Sequence, residues 1–381
     1  MSTGPSAARS AGRNRERVDN AGSGEAEQNV GNWGNAVGTM AGRLDAAEFA
    51  RRAGRELLSR CDPRTGLYGR RRLRRLRAVT LWPHANAWAA RCSLAALDPS
   101  ALPSADEALG AIARYRPAAP ADRDGGLCAS VVGATGRRCD RYFDDNAWIG
   151  LDCLRQHRIA PDPRLVEMAS EIAGFVVSGW SEADIAQRGG IYWRETPTPR
   201  GRNTCANAPA AALCAELALL GARPQADEWA ERIYRWTRDV LRRPDGLYID
   251  HLAPDGALDE RLWSYNQGAM VGAGVLLAQL SRNRGFLDDA AETARAALER
   301  FGNDAALARE PPAFCAVFFR NLAFAEAWGV PVEWRPAAAR LLERAAGRQR
   351  ARVAATEGDE INEIAAFCEV AALVAGGAPG P

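Results

Sequence analysis

From Leu44 to Val374 apolar residues recur at helical spacing, and alternating strand-like runs are nearly absent. A chain patterned this way buries its core by packing helix on helix. The spacing predicts about twelve helices. They begin with Leu44 to Arg60, Trp82 to Leu97, Ser104 to Arg116 and Asp144 to His157. Pro163 to Gly179, Thr204 to Leu220, Pro224 to Arg243 and Ser264 to Arg282 follow. The last are Phe286 to Phe301, Pro312 to Trp328, Trp334 to Gln349 and Glu357 to Val374. Long links (Cys61–Leu81, Pro117–Phe143, Trp180–Asn203, Pro244–Trp263) separate the two helices of a pair. Short links (Asp98–Pro103, Arg158–Asp162, Gly221–Arg223, Asn283–Gly285) lead to the next pair. Antiparallel neighbours joined in this way place every long link at one end. Six such hairpins predict an all-α fold, an (α/α)6 toroid of inner and outer helices. An open solenoid of hairpins is the competing architecture; the absence of a fixed-period repeat favours the closed ring.

This toroidal domain is expected over residues 43–376, with a disordered arm at 1–42 and a flexible tail at 377–381. The net charge of +2 gives no electrostatic footprint for nucleic acid, and no run approaches a membrane span. No lysine occurs, so all basic charge is arginine, including the block Arg70–Arg75 in the first long link, read as a solvated face. The nine cysteines are scattered without a C-x-x-C pair and read as reduced core thiols. With an N-terminus lacking an apolar stretch, they suggest a cytoplasmic protein. The oligomeric state is not legible.

Each long link delivers the chain into the second helix of its pair, so those helix starts share one rim. Unusual clusters stand there: Trp82-Pro83-His84-Ala85-Asn86, Phe143-Asp144-Asp145-Asn146, Asn203 through Asn207, and Tyr265-Asn266-Gln267-Gly268. Polar and aromatic groups converging on one concave end are what a ligand pocket requires. Asp144 and Asp145 are the candidate catalytic pair. Glycoside hydrolysis generally needs one ionised and one protonated carboxyl, and repulsion between neighbours raises one pKa. Helix capping is the plainer reading of either aspartate taken alone. Gly189-Gly190-Ile191-Tyr192-Trp193-Arg194 joins two backbone-permissive glycines to rings that can lie against sugar faces; an ordinary turn with core aromatics explains it equally well. Asn203 reads as a cap, whereas Asn207 and the Asn266-Gln267 amides can bond ligand hydroxyls; satisfied core amides are the alternative. Three scattered histidines (His84, His157, His251) argue against a protein-bound metal, and no cofactor motif is present. His84 stands at the rim, whereas His157 ends a helix and needs only a dipole contact.

In order along the chain, Tyr142-Phe143-Asp144-Asp145-Asn146-Ala147-Trp148, Gly189 to Arg194, Asn203 to Pro209, Tyr265 to Gly268 and Phe318-Phe319-Arg320 resemble glycoside hydrolase family 76, the endo-α-1,6-mannanases. The resemblance runs from Leu44 to the last helix. It implies an (α/α)6 fold and a cofactor-free retaining enzyme acting on α-1,6-linked mannose chains. Asp144 would be the nucleophile and Asp145 the general acid/base. The substrate-binding residues expected are His84, Asn86, Tyr142, Asn146, Gly190, Tyr192, Trp193, Asn203, Asn207, Asp250, Tyr265, Asn266, Gln267 and Arg320, of which His84, Asn86 and Asp250 lie outside the matching motifs. The partner expected is a mannan or mannooligosaccharide. A transglycosylase, or a carbohydrate-binding relative without turnover, would share these features. A sugar epimerase or isomerase on the same toroid would need His84 and His251 to meet in the cavity.

Overall fold

The computed structural model describes residues 45–72, 75–117, 125–131, 139–181, 189–196, 201–347 and 357–376. The arm expected over 1–42 and the tail over 377–381 lie outside the described residues. Helices α1 (Ala46–Ser59), α2 (Leu81–Leu94), α3 (Ala105–Ala113), α4 (Phe143–Ile159), α5 (Pro163–Val177) and α6 (Thr204–Leu219) come first. Then come α7 (Ala226–Leu241), α8 (Ser264–Ser281), α9 (Arg284–Phe301), the short α10 (Asp304–Arg309), α11 (Pro312–Ala327), α12 (Arg335–Gly347) and α13 (Glu357–Gly376). The twelve expected helices are all present, and α10 is an addition.

Six helices form the inner wall. α2 packs on α4, α4 on α6, α6 on α8, α8 on α11, α11 on α13, and α13 returns to α2. The last contact closes the ring and excludes the open solenoid. Inner helices are apolar on every side: α6 is buried without a break from Thr204 to Leu217. Outer helices such as α1 and α7 bury one stripe and leave charged residues outward. No helix among the described residues is long and apolar enough to cross a membrane.

The long links contain short strands that helical periodicity did not announce. β1 (Gly69–Arg72) and β2 (Arg75–Ala78) pair antiparallel, so the arginine block forms a hairpin rather than a plain loop. β3 (Arg202–Asn203), β4 (His251–Leu252) and β5 (Leu258–Asp259) form a small antiparallel sheet in that order. A disulfide joins Cys128 to Cys139 ahead of α4. This corrects the expectation of uniformly reduced thiols, which had supported a cytoplasmic assignment; their irregular spacing gave no sign that the link would fold these two together.

Two repeated contacts stitch the rim. The fourth residue beyond the N-cap of α4, α6 and α8 is an amide: Asn146, Asn207 and Gln267. The Asn146 side chain accepts from the Leu127 N–H (2.7 Å) and donates to the carbonyls of Leu127 and Tyr142 (3.1 and 2.7 Å). Asn207 does the same with Ile191 and Asn203, and Gln267 with Tyr248 and Trp263. Each amide therefore ties its helix start to the link that precedes it. The first N–H of four inner helices, α2, α4, α6 and α8, reaches a link farther along the chain. Leu81 donates to Ala129, Phe143 to Trp193, Thr204 to Asp250, and Ser264 to the Glu310 carboxylate. These helices thus begin without side-chain caps, whereas outer α1, α3, α5 and α9 carry Asp45, Ser104, Asp162 and Asn283 caps.

Candidate active site

The N-cap of α4 is Tyr142, so neither aspartate caps the helix; Asp144 and Asp145 occupy its second and third positions. Counting from the N-caps of successive inner helices, the second position holds Trp82 in α2, Asp144 in α4, Cys205 in α6 and Tyr265 in α8. These residues share one level of the rim, and Asp144, Cys205 and Tyr265 are neighbours along it. Cys205 Sγ donates to Asp144 Oδ2 at 3.5 Å. Tyr265 neighbours Cys205, near enough for each to influence the other's proton, and stacks on Phe314 with ring centroids 4.0 Å apart.

Trp193 enters from the side. The link before α6 runs antiparallel to the start of α4, bridging Tyr142 with Arg194. Arg141, buried and in contact with the Phe175 ring, grips Glu195 through two hydrogen bonds of 2.6 and 2.7 Å and fixes that alignment. Trp193 Nε1 consequently donates to Asp144 Oδ2 at 3.0 Å. Its ring, 40% exposed, leans on Tyr142 with centroids 5.0 Å apart. Asp144 Oδ1 is buried without a hydrogen-bond partner among the described residues.

The two carboxyls are placed differently. Burial raises Asp144 above the usual carboxylate range, opposed by the Asp145 backbone N–H, the Trp193 indole and the Cys205 thiol. Asp145 is raised well above that range by burial and then by the negative charge of Asp144. Helix position favours anions at both sites, yet burial dominates. The pair is suited to carrying one proton, held on Asp145.

Asp250 borders the site, close enough for its charge to act on Cys205 and Tyr265. It meets His251 Nδ1 at 3.1 Å, and Arg261 spans Asp259 (2.7 Å) and Asp250 (3.5 Å). Ligand atoms of Asp250, His251 and Asp259 lie within 4.8 Å of one another. The Arg261 guanidinium supplies the positive charge this group needs.

Several residues expected to touch substrate serve the scaffold instead. The amides of Asn146, Asn207 and Gln267 are spent on the backbone clasps. Asn203 is the α6 N-cap residue, and its carbonyl receives Asn207. Gly190 has a φ of +81°, and a Cβ there would stand 2.5 Å from the Trp236 ring, so glycine is required by core packing. Tyr192 is half-buried, its hydroxyl 2.8 Å from Ser181 Oγ. Asn86 donates to Asn362 of α13 at 2.8 Å, at the seam of the ring. His84 occupies in α2 the helical position of the three clasp amides and is buried between Tyr68 and Tyr115. Burial, with Arg91 nearby, pushes it down to about 4. His251 keeps company with Asp250 and Asp259, so the two histidines sit in separate neighbourhoods and the epimerase pairing fails. Asn266 is fully buried, with neither amide atom partnered among the described residues.

Arg320 is also displaced from expectation. It pairs with Glu369 at 3.0 Å and lies over the Trp148 ring, beside a cavity of about 60 Å³ farther along the inner helices. That cavity is walled by Asp152, Arg155, Arg158 and Glu216 among others. Its charges are largely paired with one another, whereas Asp144 and Asp145 bring two carboxyls together with convergent donors.

Residues 133–328, just over half of the sequence, match the family described as Glycosyl hydrolase family 76. The chain belongs to glycosyl hydrolase family 76. It is a glycoside hydrolase, built on the family's α/α toroid. A family 76 α-mannanase of Bacteroides thetaiotaomicron superposes with a TM-score of 0.70 at 19% identity, covering 86% of this chain and 95% of the other. The family 76 α-1,6-mannanase of Salegentibacter sp. HEL1_6 superposes at 0.67 and 20% identity, covering 87% and 100%. An inactive variant of that enzyme, with two consecutive aspartates changed to asparagine, has been solved with α-1,6-mannotriose. No curated protein matches the sequence. Trp82 and Cys205 lie inside clusters legible in the sequence but carried no expected role, and Phe314 lay outside them; counting from the N-caps aligns Trp82 and Cys205 with Asp144 and Tyr265.

Proposed function

We propose that this family 76 hydrolase cleaves α-1,6-mannosidic bonds with retention, Asp144 acting as nucleophile and Asp145 as general acid/base. The observation that carries the reading is the asymmetry of the pair. Asp144 accepts an indole N–H and a thiol, which favour its ionised form, while Asp145 faces burial and its neighbour's charge, which favour the acid. In the first step Asp145 donates its proton to the glycosidic oxygen as Asp144 attacks the anomeric carbon. The C–O bond to the leaving sugar breaks and a glycosyl ester forms on Asp144. In the second step Asp145 takes a proton from water, the resulting oxygen nucleophile displaces Asp144, and the product regains the α configuration. Trp193 with Tyr142 on one side, and Tyr265 with Phe314 on the other, offer ring faces for sugars flanking the cleaved bond. The mannotriose complex of the inactive Salegentibacter variant supports both the substrate class and the role of adjacent aspartates.

The test is hydrolysis of defined α-1,6-mannooligosaccharides by the wild type, Asp144→Asn and Asp145→Asn. Both variants should fold normally and lose at least about 10³-fold in turnover, the scale of removing a nucleophile or a general acid. Near-wild-type turnover by either variant defeats the assignment. Proton NMR of the first-formed product should show the α anomer; initial β product would mean inversion.

A further inference from the structure

Asp144 has two unequal oxygens. Oδ2 receives the Trp193 indole at 3.0 Å and the Cys205 thiol at 3.5 Å, whereas Oδ1 is buried with no partner among the described residues. Cys205 is 3% exposed, so water cannot stand in for its S–H, and Tyr265 is its neighbour on the next inner helix. These three groups come from α4, α6 and α8 at the same helical position, an arrangement set by the ring.

Resting on Asp144 as nucleophile, we infer that Cys205, backed by Tyr265, is a positioning residue that ties down Asp144 Oδ2 and leaves Oδ1 to attack the anomeric carbon. The hydrogen-bond direction follows from protonation. Burial, then the charges of Asp144 and Asp250, hold the Cys205 thiol well above its ordinary range, so it stays S–H and donates. Burial, followed by Cys205 and Asp250, does the same for Tyr265, whose hydroxyl stays protonated beside the sulfur. A carboxylate with one oxygen bound twice cannot rotate freely, and its remaining oxygen has no side-chain donor among the described residues. Among the described residues, the charged or titratable groups around Asp144 are Asp145 on its own helix, Cys205, Tyr265 and Asp250. His251 and Arg261 stand behind Asp250.

The experiment compares wild type, Cys205→Ala, Cys205→Ser and Tyr265→Phe in α-1,6-mannotetraose hydrolysis across pH. It also follows the carboxyl titration of Asp144 by carbon-13 NMR, identified by difference from Asp144→Asn. Loss of one donor to a buried carboxylate should lower kcat roughly 10-fold in Cys205→Ala, with KM little changed. The acid limb, and the Asp144 titration with it, should move up by roughly half to one pH unit, because the ionised form loses a partner. Cys205→Ser keeps a donor and should restore both. Tyr265→Phe leaves the thiol in place and should shift the limb in the same direction by less. A Cys205→Ala enzyme with wild-type kcat and an unmoved Asp144 titration overturns the inference, as does Cys205→Ser behaving like Cys205→Ala. These outcomes leave the functional assignment standing if Asp144→Asn is inactive. Should the wild type hydrolyse no α-1,6-mannoside, the functional assignment fails instead, and the carboxyl titration still decides the hydrogen bond.

Discussion

Replacing Asn207 by alanine tests whether the rim amides are clasps rather than substrate ligands. Asn207 and Ile191 are both fully buried. The variant would remove an acceptor from the Ile191 N–H (2.7 Å) and a donor from the carbonyls of Ile191 and Asn203 (3.0 and 2.8 Å). An orphaned buried N–H costs about 1–3 kcal/mol, and each of the other two bonds is worth about 1 kcal/mol. The carbonyls keep second lone pairs and the cavity relaxes in part, so a net loss of about 3 kcal/mol is expected. Urea unfolding followed by far-ultraviolet circular dichroism measures it as a lower midpoint at unchanged slope. Asn207→Asp is nearly isosteric but turns carboxylate oxygens toward two carbonyls, and should destabilise at least as much. Because Ile191 leads directly to Trp193, kcat should fall as well. Asn146→Ala and Gln267→Ala make parallel losses and should give similar values. A folding midpoint for Asn207→Ala corresponding to less than about 1 kcal/mol, with only KM affected, would show that the amide faces substrate and refute the clasp.

Two further outcomes follow from the same structure. The carboxyls of Asp144 and Asp145 are both raised in the native state above the ordinary value of 3.8, so they favour folding in acid. That contribution is full below about pH 4 and is lost as the pH rises through the native values, where the buried pair must ionise. Asp145→Asn should therefore melt above the wild type at pH 8, with the difference closing toward pH 4; a constant difference contradicts the raised pKa. The Cys128–Cys139 link predicts that thiol titration of the denatured, unreduced protein finds seven reactive cysteines, with nine after reduction. Its 11-residue separation makes reduction cost up to about 3 kcal/mol, read as a lower melting temperature.

Helix number, the closed ring and the rim on which Asp144 and Asp145 stand were legible in the sequence. Each follows from local quantities: apolar periodicity, link length and the alternation that sends every long link to one end. The partners of polar side chains were not legible, because they lie on other segments. Asn207 resembled a ligand-binding amide until Ile191 was seen folded against it, and Arg320 a substrate contact until Glu369, 49 residues later, was found beside it. His84 occurs in a suggestive cluster, yet its distance from the N-cap turns it outward between Tyr68 and Tyr115. Conversely, Cys205 carries no signal in its own neighbourhood and gains its importance from Asp144 and Tyr265 on adjoining helices. By itself the sequence determined which helix starts share the rim and that two adjacent carboxyls open one of them. Only the tertiary structure decided which oxygen is held and which carboxyl keeps the proton. Those depend on burial and on donors brought together from separate hairpins, and neither is a property of any one stretch of chain.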